Sequence, residues 1–431
     1  MRVLVLGASG FIGSHVAAAL AEAGHEIRAA ARRPKAARRL APAHEWVRAE
    51  FADLGQPASW GPLLDGVEAV VNCVGVLQDG AGDSTRAAHE TGPAALIAAC
   101  EAAGVRRLVH LSAVGADEAA GTAYAESKRV AEAGLESSSL DWVILRPSLV
   151  LARGVYGGSA LLRGLAAFPF VIPLVGGTGG FRPVAMEDLC AVVVRLVEPA
   201  APARLALDVA GPEVVSLGDL LRALRGWLGL APAPIVTLPA AIVRPAAWLG
   251  DLAGWLGWPS ALRTTSLRQM VHDVAGAPGD VTGLTGVDLK GFARWLSANP
   301  ATVQDRWHAR LYLLRPLAII VLGAFWIATG LITLGPGREM AVAVLREAGY
   351  GAASWPTAAA GAALDILLGG LLWIRAWSRR AAIAMALAGL GYLAAGSVSA
   401  PHLWLDPLGP WLKILPVIVL SLVVAATDDR R

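Results

Sequence analysis

The chain has 431 residues, 55% of them hydrophobic and only 16% charged, with a formal net charge of +3. That length has room for two or three domains, and the composition is too apolar for a wholly soluble enzyme. The charge is too small for a nucleic-acid surface, and Cys73, Cys100 and Cys190 are too few and too scattered for a disulfide framework or a zinc site, so they read as reduced core residues and no metal is expected.

The first apolar run, residues 3–6, leads straight into GASGFIG at 7–13. Strand, glycine-rich turn and helix then follow in the order a dinucleotide site requires. Gly7 permits the tight turn, Gly10 lets the backbone approach a pyrophosphate, and Gly13 lets the next helix pack close to the sheet. Arg2 and the apolar run also resemble the start of a signal peptide. The glycines fall where a phosphate loop needs them, and His15, Glu22, His25 and Glu26 interrupt the apolar stretch, so this part is expected to be cytoplasmic.

Strand patterns continue at 26–30, 47–50, 69–73, 107–111, 142–145 and 206–209, with helical patterns between them at 14–23, 91–103 and 125–136. Such alternation predicts a doubly wound parallel sheet of the α/β Rossmann class. The second strand ends in Ala31-Arg32-Arg33 where an acidic residue would favour NAD. Guanidinium groups pair bidentately with a 2′-phosphate, so NADP is expected in preference to NAD, with Arg32 and Arg33 as the readers. The alternative is that both simply open a solvated basic loop with Lys35, Arg38 and Arg39.

Chemistry enters at Ser112, which ends the 107–111 strand, and at YAESK, 124–128, where Tyr124 and Lys128 stand four apart on one helix face. A lysine ammonium near a phenol lowers the phenol pKa and also reaches a nicotinamide ribose. The tyrosine then exchanges the proton that accompanies hydride transfer, and the Ser112 hydroxyl orients a carbonyl.

These motifs together resemble the atypical and extended short-chain dehydrogenases. The carriers are GASGFIG, VVNCVGVL at 70–77, LVHLSAVGAD at 108–117, YAESK and ILRPSLV at 144–150. Within that group the chain is similar to the accessory Rossmann subunit of respiratory complex I and its quinone-biosynthesis-associated relatives. The resemblance implies that Gly7, Ser9, Gly10, Phe11 and Ile12 hold the pyrophosphate. Asp53 and Leu54 would sit at the adenine, Val74 and Gly75 at the adenosine ribose, and Pro147 to Val150 at the nicotinamide, with Ser112, Tyr124 and Lys128 as the reactive set. His89 departs from the asparagine that many extended members carry ahead of the equivalent of Gly92. Some relatives with that departure bind nucleotide without demonstrated turnover.

Residues 236–303 have a different character, with Trp248, Trp255 and Trp258 in a Trp-, Leu- and Pro-rich stretch and a helical pattern at 262–273. The tryptophans read either as the packed core of a small substrate-side lobe or as an interfacial helix on a membrane. After Trp307 come four apolar segments of spanning length, near 311–334, 357–374, 381–399 and 408–426. Their abundant Gly and Ala suit helix packing in lipid. This layout is similar to the DoxX-like four-helix membrane domain.

Arg306, Arg310 and Arg315 precede the first span, Arg375, Arg379 and Arg380 separate the second from the third, and Arg430 and Arg431 follow the fourth. Positive-inside logic therefore predicts cytoplasmic termini in an inner-membrane protein. Asp365 and Lys413 are the unusual charges within the spans. They either meet in the bundle or leave Lys413 snorkelling to the interface.

The expected organisation is a Rossmann domain over 1–235, a substrate-side helical lobe over 236–303 and an all-α four-helix transmembrane domain over 304–431. The expected function is a membrane-anchored NAD(P)-dependent oxidoreductase or epimerase acting on a lipophilic substrate such as a quinone or isoprenoid. The alternative is a non-catalytic NADPH-binding module that stabilises or regulates a membrane complex. Partners are the lipid bilayer and a small lipophilic molecule, not nucleic acid. The 154–182 segment is apolar and glycine-rich, without a polar code that names the substrate.

Overall fold

The computed structural model describes residues 1–39, 41–115, 123–175, 179–271, 275–277 and 279–428. Ala116 and Asp117 of the 108–117 motif, His272 and Asp273 at the end of the second helical pattern in the lobe, Gly176–Thr178 of the 154–182 segment, and Arg430 and Arg431 lie outside it. The chain forms two compact units. One comprises residues 1–254 and 259–309, the other 255–258 and 310–431.

The first unit is built on seven parallel strands, β1 (Arg2–Leu6), β2 (Glu26–Ala31), β3 (Glu45–Arg48), β4 (Ala69–Asn72), β5 (Arg107–Leu111), β6 (Asp141–Pro147) and β7 (Leu205–Val209). Their order is β7-β6-β5-β4-β1-β2-β3. The chain runs outward from β1 to β3 and returns to β4 on the other side, so the strand order reverses beside β1. In doubly wound folds, ligands bind outside the strand carboxyl ends at such a reversal. Continuous apolar runs fit strands covered on both faces: Val3, Leu4, Val5, Leu6, Val70, Val71 and Val109 are fully or almost fully buried.

Helix α1 (Phe11–Glu22) follows β1, α2 (Gly92–Ala103) follows β4, and α3 (Ala123–Glu136) follows β5. Helix α4 (Met186–Val197) buries Leu189, Val192, Val193 and Leu196 in the same core as Val3, Val5 and Val16. Buried cations are absorbed by backbone: Arg107 donates to the carbonyls of Pro199, Ala201 and Pro202 at 2.8–3.2 Å.

Sequence periodicity missed the paired short strands, Val150–Leu151 with Val184–Ala185, Gly180–Phe181 with Val215–Ser216, and Ile172–Val175 with Ile235–Leu238. Two- to four-residue strands show too few alternations to register as a pattern.

Helix α5 (Ala240–Trp255) carries the tryptophan-rich stretch. The packed-core reading fails for two of the three rings, since Trp248 is 65% and Trp255 63% exposed. The face that α5 buries is made of small residues, Val243, Ala247, Gly250 and Gly254. A Cβ at Gly250 would stand 1.8 Å from the Leu262 carbonyl oxygen, so only glycine permits this approach.

The second unit holds α6 (Val303–Leu334, from residue 310), α7 (Arg338–Glu347), α8 (Ser354–Trp373), α9 (Arg375–Ser399) and α10 (Pro410–Thr427). Four helical segments, 303–334 (in this unit from residue 310), 351–373, 375–399 and 410–427, are long and apolar enough to cross a membrane. The amphipathic α7 between the first two was not anticipated. Leu322, Trp326, Leu372, Met385 and Val424 pack inside, while Leu317, Ile320, Leu387 and Val419 face outward. That is the inversion lipid favours. Glycines set the closest approaches, as a Cβ at Gly330 would meet the Ala362 carbonyl oxygen at 2.5 Å.

Candidate functional site

The phosphate loop forms as its glycines predict. Gly7 has φ +74° and lies against the Cys73 backbone, where its Cβ would sit 3.2 Å from the carbonyl. The Gly10 N–H donates to the Gly7 carbonyl at 2.8 Å and closes the turn. A Cβ at Gly13 would stand 2.2 Å from the same oxygen, so α1 packs on the turn through a residue that has no side chain. A Cβ at Gly10 would meet only the Gly7 oxygen within 4 Å, which leaves the outer side of the turn open. Gly10 caps α1 without a side-chain hydrogen bond, so first-turn N–H groups remain for an anion. Ser9 is exposed, and Phe11 and Ile12 are half-buried. The Phe11 ring stacks on Tyr156 with centroids 6.5 Å apart.

At the end of β2, Arg32 Nη1 donates to Asp83 Oδ1 at 2.7 Å and to the Gly82 carbonyl at 3.1 Å. Its neighbour Arg33 is exposed at the start of a short helix. Asp53 is paired with Arg48 at 2.8 Å on the surface, whereas Leu54 is buried in the core. Val74 is half-buried, and its N–H donates to Asn72 Oδ1 at 3.1 Å. Gly75 is exposed directly over Lys128, with its would-be Cβ 3.7 Å from Nζ. Pro147 and Val150 are buried, and Val150 belongs to the core.

Lys128 is 2% exposed, and its ammonium donates to the Leu111 carbonyl at 3.0 Å. Burial pulls its pKa down to about 8, with Glu132 opposing the shift. Ser112, next to Leu111, is buried, and its Oγ has no hydrogen-bond partner among the described residues. Tyr124 is half-buried, and burial pushes its phenol up to about 12. The sequence predicted that Lys128 would lower the phenol pKa. The structure corrects this: the ammonium is engaged by the Leu111 carbonyl, and desolvation sets the phenol's value.

His89 lies in a single π-helical turn, Ala87–Thr91, and is fully buried. Its Nε2 accepts from the Val76 N–H at 3.0 Å. That leaves Nδ1 to donate to Ser127 Oγ at 2.9 Å, and Ser127 donates to the Tyr124 carbonyl at 2.8 Å. Burial, then Lys128, pulls the imidazole down to about 3, so it stays neutral. The ring also stands edge-on to Tyr124 at 5.6 Å. His89 thus ties the loop after β4 to the helix that carries the YxxxK pair. Sequence reading noted it only as a departure.

Asn72 and His110 were assigned no role. They face each other at 3.1 Å between the buried ends of β4 and β5. Burial holds His110 well below the usual imidazole range. Their signal was a polar residue inside an otherwise apolar strand. The described residues contain no cluster suited to a metal ion.

A family model for NAD(P)H-binding proteins matches residues 7–161, and one for the DoxX-like family matches residues 323–422. The chain joins an NAD(P)-binding Rossmann domain to a DoxX-like domain. Over 315 residues it is 25% identical to a ceramide reductase of Caulobacter vibrioides, covering 69% of this chain and 96% of that protein. It is 29% identical over 231 residues to a (4-alkanoyl-5-oxo-2,5-dihydrofuran-3-yl)methyl phosphate reductase of Streptomyces griseus, covering 53% and 74%.

Among solved structures, the NADPH-dependent quinone oxidoreductase QOR2 of Escherichia coli, complexed with NADPH, superposes with a TM-score of 0.54 at 21% identity, covering 69% of this chain and 99% of that one. The Bordetella bronchiseptica enzyme WbmG, in complex with NAD, gives 0.51 at 18% identity, covering 72% and 93%. These two likenesses establish the Rossmann-type fold of the N-terminal region.

In the DoxX-like domain, Asp365 is buried and accepts from the Tyr392 hydroxyl at 2.9 Å. Trp326 stacks on Tyr392 at 6.4 Å. The alternative in which Asp365 meets Lys413 is corrected, because Lys413 is exposed while α9, not α10, supplies the partner of Asp365. The sequence positions of the two charges do not say which helix faces share the bundle interior.

Proposed function

We propose that the chain is a membrane-anchored, NAD(P)-dependent reductase of short-chain dehydrogenase type that acts on a carbonyl group of a lipophilic substrate. The observation that carries this is the buried Ser112 hydroxyl, which has no hydrogen-bond partner among the described residues, one residue from the carbonyl that holds the buried Lys128 ammonium. A buried unsatisfied hydroxyl is costly, and a substrate carbonyl would satisfy it. The reductase relatives support the reaction class, and the four spans support a substrate that partitions into lipid.

The phosphate loop fits a dinucleotide: Gly7 and Gly13 shape a turn that a Cβ would block, and the α1 N-terminus is open. Gly7, Ser9, Gly10, Phe11 and Ile12 would hold the pyrophosphate, with Val74, Gly75 and Asp53 on the adenosine side and Lys128 and Pro147 toward the nicotinamide. Arg32 and Arg33 favour NADPH over NADH. When bound, the reduced nicotinamide supplies the hydride. Ser112 donates a hydrogen bond that orients the carbonyl, and Tyr124, protonated at neutral pH, gives its proton to the carbonyl oxygen. Lys128, whose ammonium lies under Gly75, would reach the nicotinamide ribose. The arginines at 306–315 and 375–380 support a cytoplasmic Rossmann domain and an inner-membrane location.

The test uses the full chain in lipid nanodiscs with NADPH and a panel of long-chain ketones, quinones and isoprenoid carbonyls. NADPH consumption and the alcohol or quinol product are followed together. Product formation abolished by Tyr124→Phe supports the reading. NADPH binding with no turnover on any lipid carbonyl favours the non-catalytic nucleotide-binding module.

A further inference from the structure

Helix α5 is apolar on two opposite faces, and protein covers only one of them. Its small residues, Val243, Ala247, Gly250 and Gly254, recur at three- and four-residue intervals and are buried. Ile242, Trp248, Leu249, Leu252 and Trp255 recur on the other side and are 56–65% exposed. Their intervals of three, four and seven put them on one stripe. At 16 residues the helix is about 24 Å long, and the stripe runs almost its whole length. Five large apolar side chains in one exposed row are not the scattered surface hydrophobics of an ordinary soluble domain.

The chain itself says what covers that row. The residues that directly follow α5 belong to the DoxX-like unit. Trp258 Nε1 donates to the Trp373 carbonyl at 2.7 Å, and the Arg375 N–H donates to the Leu256 carbonyl at 3.0 Å. Trp373 ends the second candidate span and Arg375 begins the third. Residues 256–258, which continue the chain from α5, are therefore held at the end where two candidate spans leave the hydrocarbon. A helix that leads straight into that segment, with Trp and Leu outward and Arg244 exposed beside them, has the composition of an element that lies in the headgroup zone.

We propose that the outward face of α5 lies in the bilayer interface, with phospholipid as its occupant. The surface is joined to the cofactor side of the Rossmann domain by bonds within the first unit. Asp251 of α5 accepts from Gln78 Nε2 at 3.0 Å, and Arg263 Nη2 donates to the Asp79 carbonyl at 2.8 Å. The same loop supplies Asp83, the partner of Arg32. Lipid contact at α5 thus holds the loop after β4 at the membrane surface. The placement stands whether or not the protein turns over a substrate.

The test is photolabelling of the full chain in nanodiscs of mixed neutral and anionic phospholipid. The lipid carries a diazirine at the upper acyl chain, and adducts are localised by fragment mass spectrometry. Adducts are expected at Trp248, Leu249 and Leu252 as well as in the four spans, and none at Val130, an exposed apolar residue of α3. In L249E/L252E the α5 adducts are expected to be lost while those in the spans persist, which shows that the protein is still inserted. W248F, which keeps the face apolar, retains them. Labelled spans without α5 adducts in the natural chain overturn the proposal, as does undiminished labelling in L249E/L252E. Cross-linking of L249C to a second copy in place of lipid adducts would assign the face to an interface between copies and equally overturn it.

Discussion

Arg32 and Asp83 form an ion pair of 2.7 Å that joins the end of β2 to the loop after β4. Both side chains are about half exposed, at 58% and 46%, so the pair is worth at most about 1 kcal/mol. A 2′-phosphate on the cofactor would compete with Asp83 for the guanidinium. The following predictions start from that competition.

Arg32→Ala should weaken NADPH binding by roughly tenfold or more, the worth of one or more charge-assisted hydrogen bonds, and leave NADH binding little changed. Asp83→Asn should act in the opposite direction and tighten NADPH binding by up to about fivefold, because the guanidinium is then free. Fluorescence titration of the full chain with both cofactors decides the matter. Equal NADPH affinity in the natural chain and in Arg32→Ala would return Arg32 to a solvated basic loop.

Tyr124→Phe should lower turnover by about a hundredfold or more, the usual worth of a positioned proton donor, with NADPH affinity nearly unchanged. Lys128→Ala should impair both. Single-turnover kinetics and cofactor titration on the same samples separate the effects. A fully active Tyr124→Phe variant would remove the phenol from the reaction.

Lys128 also predicts a pH dependence. Its folded pKa is about 8 against an ordinary 10.5, because burial disfavours the ammonium. The unfolded chain therefore binds this proton more tightly than the folded one. The penalty is fully present below pH 8 and disappears as pH rises toward 10.5, so this group makes stability increase across that window. Turnover should fall in the same window as the ammonium is lost. Thermal unfolding of the detergent-solubilised chain should show the rise, and Lys128→Met should flatten it. An identical slope in the variant would locate the titration elsewhere.

In the membrane domain, Asp365 and Tyr392 should be energetically coupled, whereas Asp365 and Lys413 should not. The hydrogen bond of 2.9 Å links α8 to α9, and bonds of this kind in lipid contribute about 0.6 kcal/mol on average. A double-mutant cycle of Asp365→Leu with Tyr392→Phe should be non-additive, and the cycle with Lys413→Leu should be additive. Lys413→Leu alone should be mild. Coupling to Lys413 in place of Tyr392 would reverse the assignment.

Reporter fusions after Asp406 should report the outer side of the membrane, and fusions at the C-terminus the cytoplasm. The arginines before the first span and between the second and third motivate this. A cytoplasmic signal after Asp406 would overturn the orientation.

Local chemistry was enough to read the Rossmann framework from residues alone. A buried parallel strand must be a continuous apolar run, and a phosphate turn must place glycine where a Cβ would strike backbone, as at Gly7 and Gly13. These requirements act within a few neighbouring residues, so the sequence displays them. The four spans were legible for the same reason, since lipid demands a long apolar helix whatever its neighbours.

Partnerships between distant residues were not legible. Lys128 takes the Leu111 carbonyl, Asp365 takes Tyr392, Arg32 takes Asp83, and His89 bridges Val76 and Ser127. Each depends on which faces of separate elements meet. Helix α5 shows the limit most clearly, because both of its faces are apolar in sequence. Only the tertiary structure decided that the small-residue face packs against Leu262 and Arg263 while the tryptophans are left outside. Close packing selects the glycine face, since its missing side chains allow contact with backbone that the tryptophan face is too bulky to reach.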